Sequence, residues 1–198
     1  MNKRELLEKL RGEGFNDNLI TAIKKVPREK FISKELEKYA YGDIALPLES
    51  GATISQPFTI AFMLNLLELK KGQKILEIGS GCGYVLALLH EITKGEIYGI
   101  EIIKELAVKS KKILRELKYD KIKVICKNGY FGLKENLPFD RILVSASADK
   151  IPEHLFSQLR NNGIMVVPVR NSIFRIKKKK ERILTEEFPG FAFVPLVE

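Results

Sequence analysis

The sequence predicts an α/β protein: a mostly parallel sheet between two covering layers, entered through a helical section and finished by an antiparallel strand pair. Three observations predict it. From residue 74 onward, short apolar runs alternate with longer amphipathic segments, the order of a sheet built through helical crossovers. A cluster of glycines stands between the first apolar run and the segment after it. Near the C-terminus, two strand-like runs lie so close that only a tight turn can join them.

The elements follow in order. Leu6, Leu7 and Leu10 share one face of a first helix, and Leu19, Ile20 and Ile23 one face of a second. Asn16 or Asp17 can cap the second, and Pro27 ends it. Ser33 can cap a third helix reaching Tyr39. Residues 42–51 hold Pro47 and no helical period, and read as a loop. In Thr53-Ile54-Ser55-Gln56-Pro57, Ser55 or Gln56 can cap a helix whose early Pro57 needs no backbone donor. That helix is expected to reach Leu69, with Ile60, Met63, Leu64 and Leu67 on one side. Strands are expected at 74–78, 97–100, 122–125, 141–144 and 164–169, and helices at 84–92, 103–117 and 152–159. Strands near 173–176 and 182–184 flank a lysine run, and a last one spans 191–194. No repeat or interdomain linker interrupts the pattern, so 1–198 reads as one domain. Within it, 1–56 is a helical section and loop, 57–170 the core, and 171–198 the C-terminal strands.

Composition excludes several classes. With 45% apolar residues the chain is not intrinsically disordered, and 14 Gly with 8 Pro exclude a collagen-like or linker-rich chain. No apolar run approaches the ~18 residues of a membrane span, and the N-terminus lacks the apolar core of a signal peptide. Two Cys make no disulfide framework, and two isolated His with them offer no zinc spacing. A reduced, cytoplasmic, metal-free protein with no membrane association is expected. The net charge is +9, and the basic excess falls in the second half, including Lys177, Lys178, Lys179 and Lys180. This run reads either as a nucleic-acid patch or as a solvated turn between strands. No aromatic is interleaved with it, which favours the turn.

Leu76-Glu77-Ile78-Gly79-Ser80-Gly81-Cys82-Gly83 follows the first strand and opens a helix. Glycines there let the backbone turn sharply and let a ligand lie on bare main chain. Two cofactors use such a turn. A dinucleotide needs Gly-x-Gly-x-x-Gly, so that its pyrophosphate meets the helix N-terminus. Here the spacing is Gly-x-Gly-x-Gly, with Glu77 two residues ahead. A carboxylate suits S-adenosylmethionine, which carries an ammonium and a sulfonium, and repels a pyrophosphate. Glu101, 22 residues after Gly79, ends the second strand and can accept from both ribose hydroxyls, a feature common to both cofactors. Asn128-Gly129, past the third strand, can bond an adenine edge or simply form a turn. All three lie after strand C-termini, the edge where open parallel sheets bind ligands.

At this point the sequence resembles the protein-L-isoaspartate O-methyltransferases over nearly its whole length. Val26-Pro27-Arg28-Glu29-Lys30-Phe31, Tyr41 to Pro47 and Ala52-Thr53-Ile54-Ser55-Gln56-Pro57 match the family's N-terminal section in order. Leu76 to Tyr84 matches its cofactor loop, and Pro138-Phe139-Asp140-Arg141-Ile142-Leu143-Val144 its fourth-strand block. Ile151-Pro152, Val167-Pro168-Val169 and Phe193-Val194-Pro195-Leu196 match the remainder. General methyltransferases lack the Thr-Ile-Ser-Gln-Pro block.

The resemblance implies a three-layer, Rossmann-like class I methyltransferase fold with a seven-stranded sheet. It implies methyl transfer from S-adenosylmethionine, leaving S-adenosylhomocysteine, to the carboxylate of isoaspartyl residues in damaged proteins and peptides. The ester then closes to a succinimide, which hydrolyses partly to normal aspartate. By the family's pattern Ser55 is the active-site serine. Thr53, Ile54, Ser55, Gln56, Glu77, Gly79, Ser80, Gly81, Glu101, Asn128 and Gly129 match cofactor contacts. Ala52, Thr53, Ser55, Val169, Val194 and Leu196 match the substrate side. A monomer is expected. Asn128 stands where the family usually has Asp, which removes a charge and implies weaker cofactor binding. Ser145-Ala146-Ser147-Ala148-Asp149 and Arg170 also depart from the pattern.

The chemistry needs few polar groups. An ionised carboxylate, with a pKa near 4, is already a nucleophile at neutral pH, so no general base is required. His90, His154, Cys82 and Cys126 are therefore expected to be structural or inert. A nucleic-acid methyltransferase is the alternative raised by the charge. Against it, Val144 is not followed by a polar residue and Pro-Pro-aromatic, and neither Cys follows a proline. A cofactor-binding paralogue with altered activity is the other alternative, raised by Asn128 and Arg170.

Overall fold

Caps organise the N-terminal section. The structure, a computed structural model, describes residues 1–180 and 182–197. Helix α1 (Lys3–Gly12) starts at Asn2, whose side chain accepts from the Glu5 amide while the Glu5 carboxylate accepts from the Asn2 amide. Helix α2 (Asp17–Lys25) starts at Asn16, which accepts from the Leu19 amide. Their leucines and isoleucines are buried, as the spacing predicts. Beyond Pro27 come two 3-10 turns, Arg28–Phe31 and Lys34–Tyr39. The second replaces the α-helix expected after Ser33, whose side chain makes no cap bond.

The segment expected to be loop contains a short antiparallel pair, β1 (Leu46–Pro47) and β2 (Thr53–Ile54). Two-residue strands carry no period, so only tertiary pairing shows them. Helix α3 (Pro57–Leu66) follows, but neither Ser55 nor Gln56 caps it with a side chain. Asp43, fifteen residues earlier than Phe58, accepts from the Phe58 amide at 2.8 Å instead. The helix also stops short of Leu69: the buried Arg141 guanidinium takes the carbonyls of Leu67 and Glu68.

Seven strands form the main sheet: β3 (Ile75–Ile78), β4 (Ile97–Glu101), β5 (Lys123–Cys126), β6 (Phe139–Val144), β7 (Leu159–Val169), β8 (Ser172–Lys179) and β9 (Arg182–Pro189). Their order is β5-β4-β3-β6-β7-β8-β9, the first five parallel and the last two antiparallel additions. Alternate strand residues face opposite layers. Ile75, Ile97 and Leu143 pack with α1–α3, with α4 (Tyr84–Thr93) and with α5 (Lys104–Glu116). Leu76, Ile78, Ile142 and Val144 face the other layer. That layer holds Leu133 and Leu155, from turns and 3-10 segments, and the α-helix expected at 152–159 is a 3-10 turn, Glu153–Gln158.

The C-terminal part differs from expectation in two further ways. Residues 191–194 form no strand; the Ser147 amide donates to the Val194 carbonyl and the Leu196 amide to the Ser147 carbonyl, one isolated bridge. The four-lysine run is not simply a turn, because Lys177, Lys178 and Lys179 lie within β8. Lys177 pairs with Glu68 at 2.5 Å, and Lys178 donates to the carbonyls of Phe156 and Leu159. Glu181, inside the expected turn, lies outside the described residues.

The chain moves outward from β3 to β4 and β5, then returns to β6 on the other side of β3. Such a reversal opens a crevice at the strand C-termini, where the connections diverge.

Helix α4, which hangs from the glycine turn, is tied to α2 through Glu91. This carboxylate accepts from Lys25, Lys94 and Tyr119. Burial opposes its charge, but those three bonds outweigh it and push its pKa down to about 2. The stabilisation is full above the ordinary carboxylate range and fades as pH falls through it toward about 2. Glu91→Gln is expected to lower Tm at pH 7 by about 2–4 °C, the shift about 1 kcal/mol gives a chain of this size. It also removes part of the acid-side loss of Tm, which scanning calorimetry between pH 2 and 7 checks.

Candidate active site

The crevice is built on bare main chain. Gly79, Gly81 and Gly83 all hold positive φ, and Gly83 enters α4 with a left-handed backbone. A Cβ on Gly83 would also press on Ser110 at 3.1 Å, so the turn needs glycine for both conformation and space. The Gly79 and Ser80 amides both donate to the Ile100 carbonyl, which holds the turn against β4.

Two carboxylates flank this turn. Glu101 is 4% exposed; its Oε2 accepts from the Gly81 amide at 2.6 Å and its Oε1 from the Ile103 amide at 2.9 Å. Each oxygen keeps a lone pair for a ligand. Glu77 is 1% exposed. Its Oε1 accepts from the Ser145 hydroxyl at 2.7 Å, and its Oε2 is buried with no partner among the described residues. Burial pushes its pKa up to about 8; the Ser145 bond works the other way and the nearby Glu101 charge adds to the rise. A buried acceptor left open is the fitting for a cationic donor.

Three adjoining cavities meet here. One, of about 350 Å³, is walled by Gly79, Gly81, Glu101, Asn128, Gly129 and the 194–197 segment. A small deep one of about 50 Å³ lies over Glu77, Ser80, Cys82 and Tyr84. The outer one, of about 540 Å³, is walled by Ser55, Gln56, Phe58 and the 189–194 segment. Thr53 and Ser145 line all three. Gly129 is a close approach: a Cβ would meet Ile78 Cγ2 at 2.7 Å.

The structure therefore brings nearly all the sequence-predicted residues together, in a somewhat different division. Ser55 and Ile54 line the deep cavity, Ser55 the outer one as well, and Gln56 only the outer. Ala52 and Leu196, expected on the substrate side, border the 350 Å³ cavity beside Glu101. Val194 reaches both large cavities, and Val169 reaches none, being bridged to Ala148 at the end of β7. Asn128 borders the 350 Å³ cavity, and its Oδ1 accepts from the Tyr130 amide at 2.8 Å. Arg170 is exposed and lines no cavity, and Cys126 is exposed. His90 packs edge-on to Tyr119, and His154 contacts the Tyr130 carbonyl, both away from the crevice.

Sequence reasoning missed three groups. Ser145 stands one residue past β6 beside the glycine turn; the topological rule for strand ends could have found it. Phe58, Phe191 and Phe193 line the outer cavity, and Phe58 is foreshadowed only by its place as the second residue of α3. Arg28 was visible as part of a motif but carried no sign of its burial.

A switch-point crevice with a glycine turn, two buried acids and no phosphate-binding spacing defines a class I methyltransferase. The family model described as Protein-L-isoaspartate(D-aspartate) O-methyltransferase (PCMT) matches residues 1–198. A protein-L-isoaspartate O-methyltransferase of Ignicoccus hospitalis is 39% identical over 99% of this chain and 97% of its own length. One of Dictyoglomus thermophilum is 41% identical over 98% of this chain and 90% of its own. A solved protein-L-isoaspartate O-methyltransferase superposes with TM-score 0.92 at 29% identity, covering all of this chain and 66% of that one. A putative Plasmodium falciparum member, solved with S-adenosyl-L-homocysteine, gives 0.86 at 29% identity over 100% and 99%. The chain belongs to the protein-L-isoaspartate O-methyltransferase family.

Glu77 makes stability depend on pH. Its pKa is raised on folding, so the unfolded chain holds fewer protons between the ordinary carboxylate value and about 8. Stability of the ligand-free protein must fall as pH climbs through that window. Glu77→Gln is expected to raise Tm at pH 8 and to flatten this part of the profile, as read by thermal scans from pH 5 to 8.

Proposed function

We propose that the crevice holds S-adenosylmethionine across the ends of β3 and β4 and delivers its methyl group, beside Ser55, to an isoaspartyl carboxylate. The enzyme acts on damaged proteins and peptides, and the methyl ester it forms leads to repair through a succinimide. One observation supports the residue-level reading above others. The cavity walled by Glu101 and the cavity on which Ser55 stands share Thr53, Ser145 and Val194 in their walls.

The open Oε2 of Glu77 would accept the ammonium of the cofactor, which restores the ionised form that burial disfavours. Glu101 would take the ribose hydroxyls on its remaining lone pairs, and Asn128 with Gly129 would border the adenine. The cofactor supplies a methyl group activated by a sulfonium and leaves as S-adenosylhomocysteine. The substrate oxygen bonds to the methyl carbon as the carbon–sulfur bond breaks, and the bonding pair stays on sulfur. No proton moves. The protein's task is alignment and exclusion of water, and positioning of this kind supplies on the order of 7–11 kcal/mol. Ser55 orients the carboxylate by donating its hydroxyl, and Phe58, Phe191 and Phe193 keep the outer cavity apolar around the substrate chain.

The reading treats residues 1–198 as one domain working as a cytoplasmic monomer, without nucleic acid. In support, Lys177 and Lys178 are engaged within the protein rather than presented as a patch. No helix among the described residues is long and apolar enough to cross a membrane.

Two measurements test the proposal. Tritiated methyl transfer to an isoaspartyl peptide should far exceed transfer to the same peptide with ordinary aspartate; equal rates would refute it. The two site roles should also separate. Ser55→Ala is expected to lower kcat about tenfold or more while calorimetric affinity for S-adenosylhomocysteine changes less than about threefold. Glu77→Gln is expected to weaken that affinity by tenfold or more, since a charge-assisted bond is lost.

A further inference from the structure

Arg28 opens the 3-10 turn Arg28–Phe31 and has no exposed surface. Its Nη2 donates to the Ser55 carbonyl at 2.8 Å. Its Nε and Nη1 have no partner among the described residues, and no carboxylate there lies within ion-pair distance of it. The acids nearby are committed elsewhere: Glu29 accepts from the Tyr41 hydroxyl, and Asp43 takes Lys9 and the Phe58 amide. The guanidinium lies over the Tyr84 ring, 5.2 Å from its centroid. Tyr84 is the first residue of α4, directly after Gly83 of the glycine turn.

A buried cation without a counter-charge is unfavourable, and an apolar side chain of similar volume commonly stabilises such a site. The side chain therefore needs a reason other than stability. The Ser55 carbonyl supplies one, because the helical bonds of α3 begin at the next residue, with the Ile60 amide donating to Gln56. The guanidinium satisfies that carbonyl from below. It simultaneously lies over the ring of the residue that leaves the glycine turn, a two-sided contact that a lysine ammonium cannot reproduce.

We propose that Arg28 is a positioning residue for methyl transfer, a bracket that sets Ser55 at a fixed distance from the glycine turn. It touches neither cofactor nor substrate and acts through the Ser55 backbone. The inference rests on the role given to Ser55 above.

The test compares Arg28→Met, Arg28→Lys, Ser55→Ala and the double variant Arg28→Met/Ser55→Ala on the isoaspartyl peptide. Arg28→Met is expected to fold with Tm at or above that of the unaltered protein. Its kcat should fall about tenfold or more, with affinity for S-adenosylhomocysteine changed less than threefold. Arg28→Lys, which returns charge without the planar fork, should not restore kcat, and it carries the same test if Arg28→Met fails to fold. The double variant should fall no more than about twofold below Ser55→Ala, because the bracket then has no hydroxyl to place. Wild-type kcat in a folded Arg28 variant, multiplied losses in the double variant, or parallel losses of kcat and cofactor affinity would each overturn the bracket. Ser55→Ala at the full rate would instead overturn the role of Ser55, and the bracket with it.

Discussion

At the end of β3, a carboxylate is held almost wholly out of bulk solvent. β3 has parallel neighbours on both sides, and Glu77 near its C-terminal end keeps one oxygen bonded to Ser145 and the other bonded to nothing among the described residues. Such an arrangement disfavours the charge and weakens the fold that carries it. The neighbouring features all leave that site open to a cationic group. The glycine turn brings only two small side chains, Ser80 and Cys82, to the cavity over Glu77, and Glu101 spends its near lone pairs on Gly81 and Ile103 instead of on a lysine. Under the proposed function, the oxygen that lacks a partner would be the one a ligand ammonium meets.

The walls above this floor come from both halves of the chain. Residues 49–52 cross from the β1–β2 pair and are fastened to α5, with Glu49 accepting from Lys109 and Ser50 donating to Glu105. From the other side, residues 193–196 lie along Ser147 through two backbone bonds. Between them stands Thr53-Ile54-Ser55, extended and short, steadied by β1, by Asp43 at the start of α3 and by Arg28 beneath. Ser55, directly after so short a strand, has little stiffness of its own. Its precision comes from those three supports, each contributed by residues before position 48.

How much of this was legible depends on the range of the interaction. The placement of β3 to β6 and of α4 and α5 followed from period, and the glycine turn with its two acids followed from local chemistry. The misses have one cause in common. Ser33, Ser55 and Gln56 looked like caps because their types suit the role, but the α3 cap is Asp43, which sequence distance hides. The 152–159 segment had apolar spacing suited to an α-helix, yet Pro152 and the tight return into β7 leave room for only a 3-10 turn. The 191–194 run alternates like a strand, but the chain there lies along Ser147 through two backbone bonds instead of adding to the outer edge of β9. The lysine run reads as a turn by composition, whereas pairing of β8 with β9 draws three of the four into a strand.

The sequence by itself determined the class of fold, the glycine turn, the acids at the strand ends and the family, because each is written in short motifs of neighbouring residues. Only the tertiary structure decided that Glu77 lacks a partner, that Ala52 and Leu196 stand beside Glu101, that Val169 stands outside the crevice, and that a buried arginine holds the Ser55 carbonyl. Burial and hydrogen-bond satisfaction are properties of what surrounds a group, and those surroundings are assembled from segments that meet only when the sheet closes.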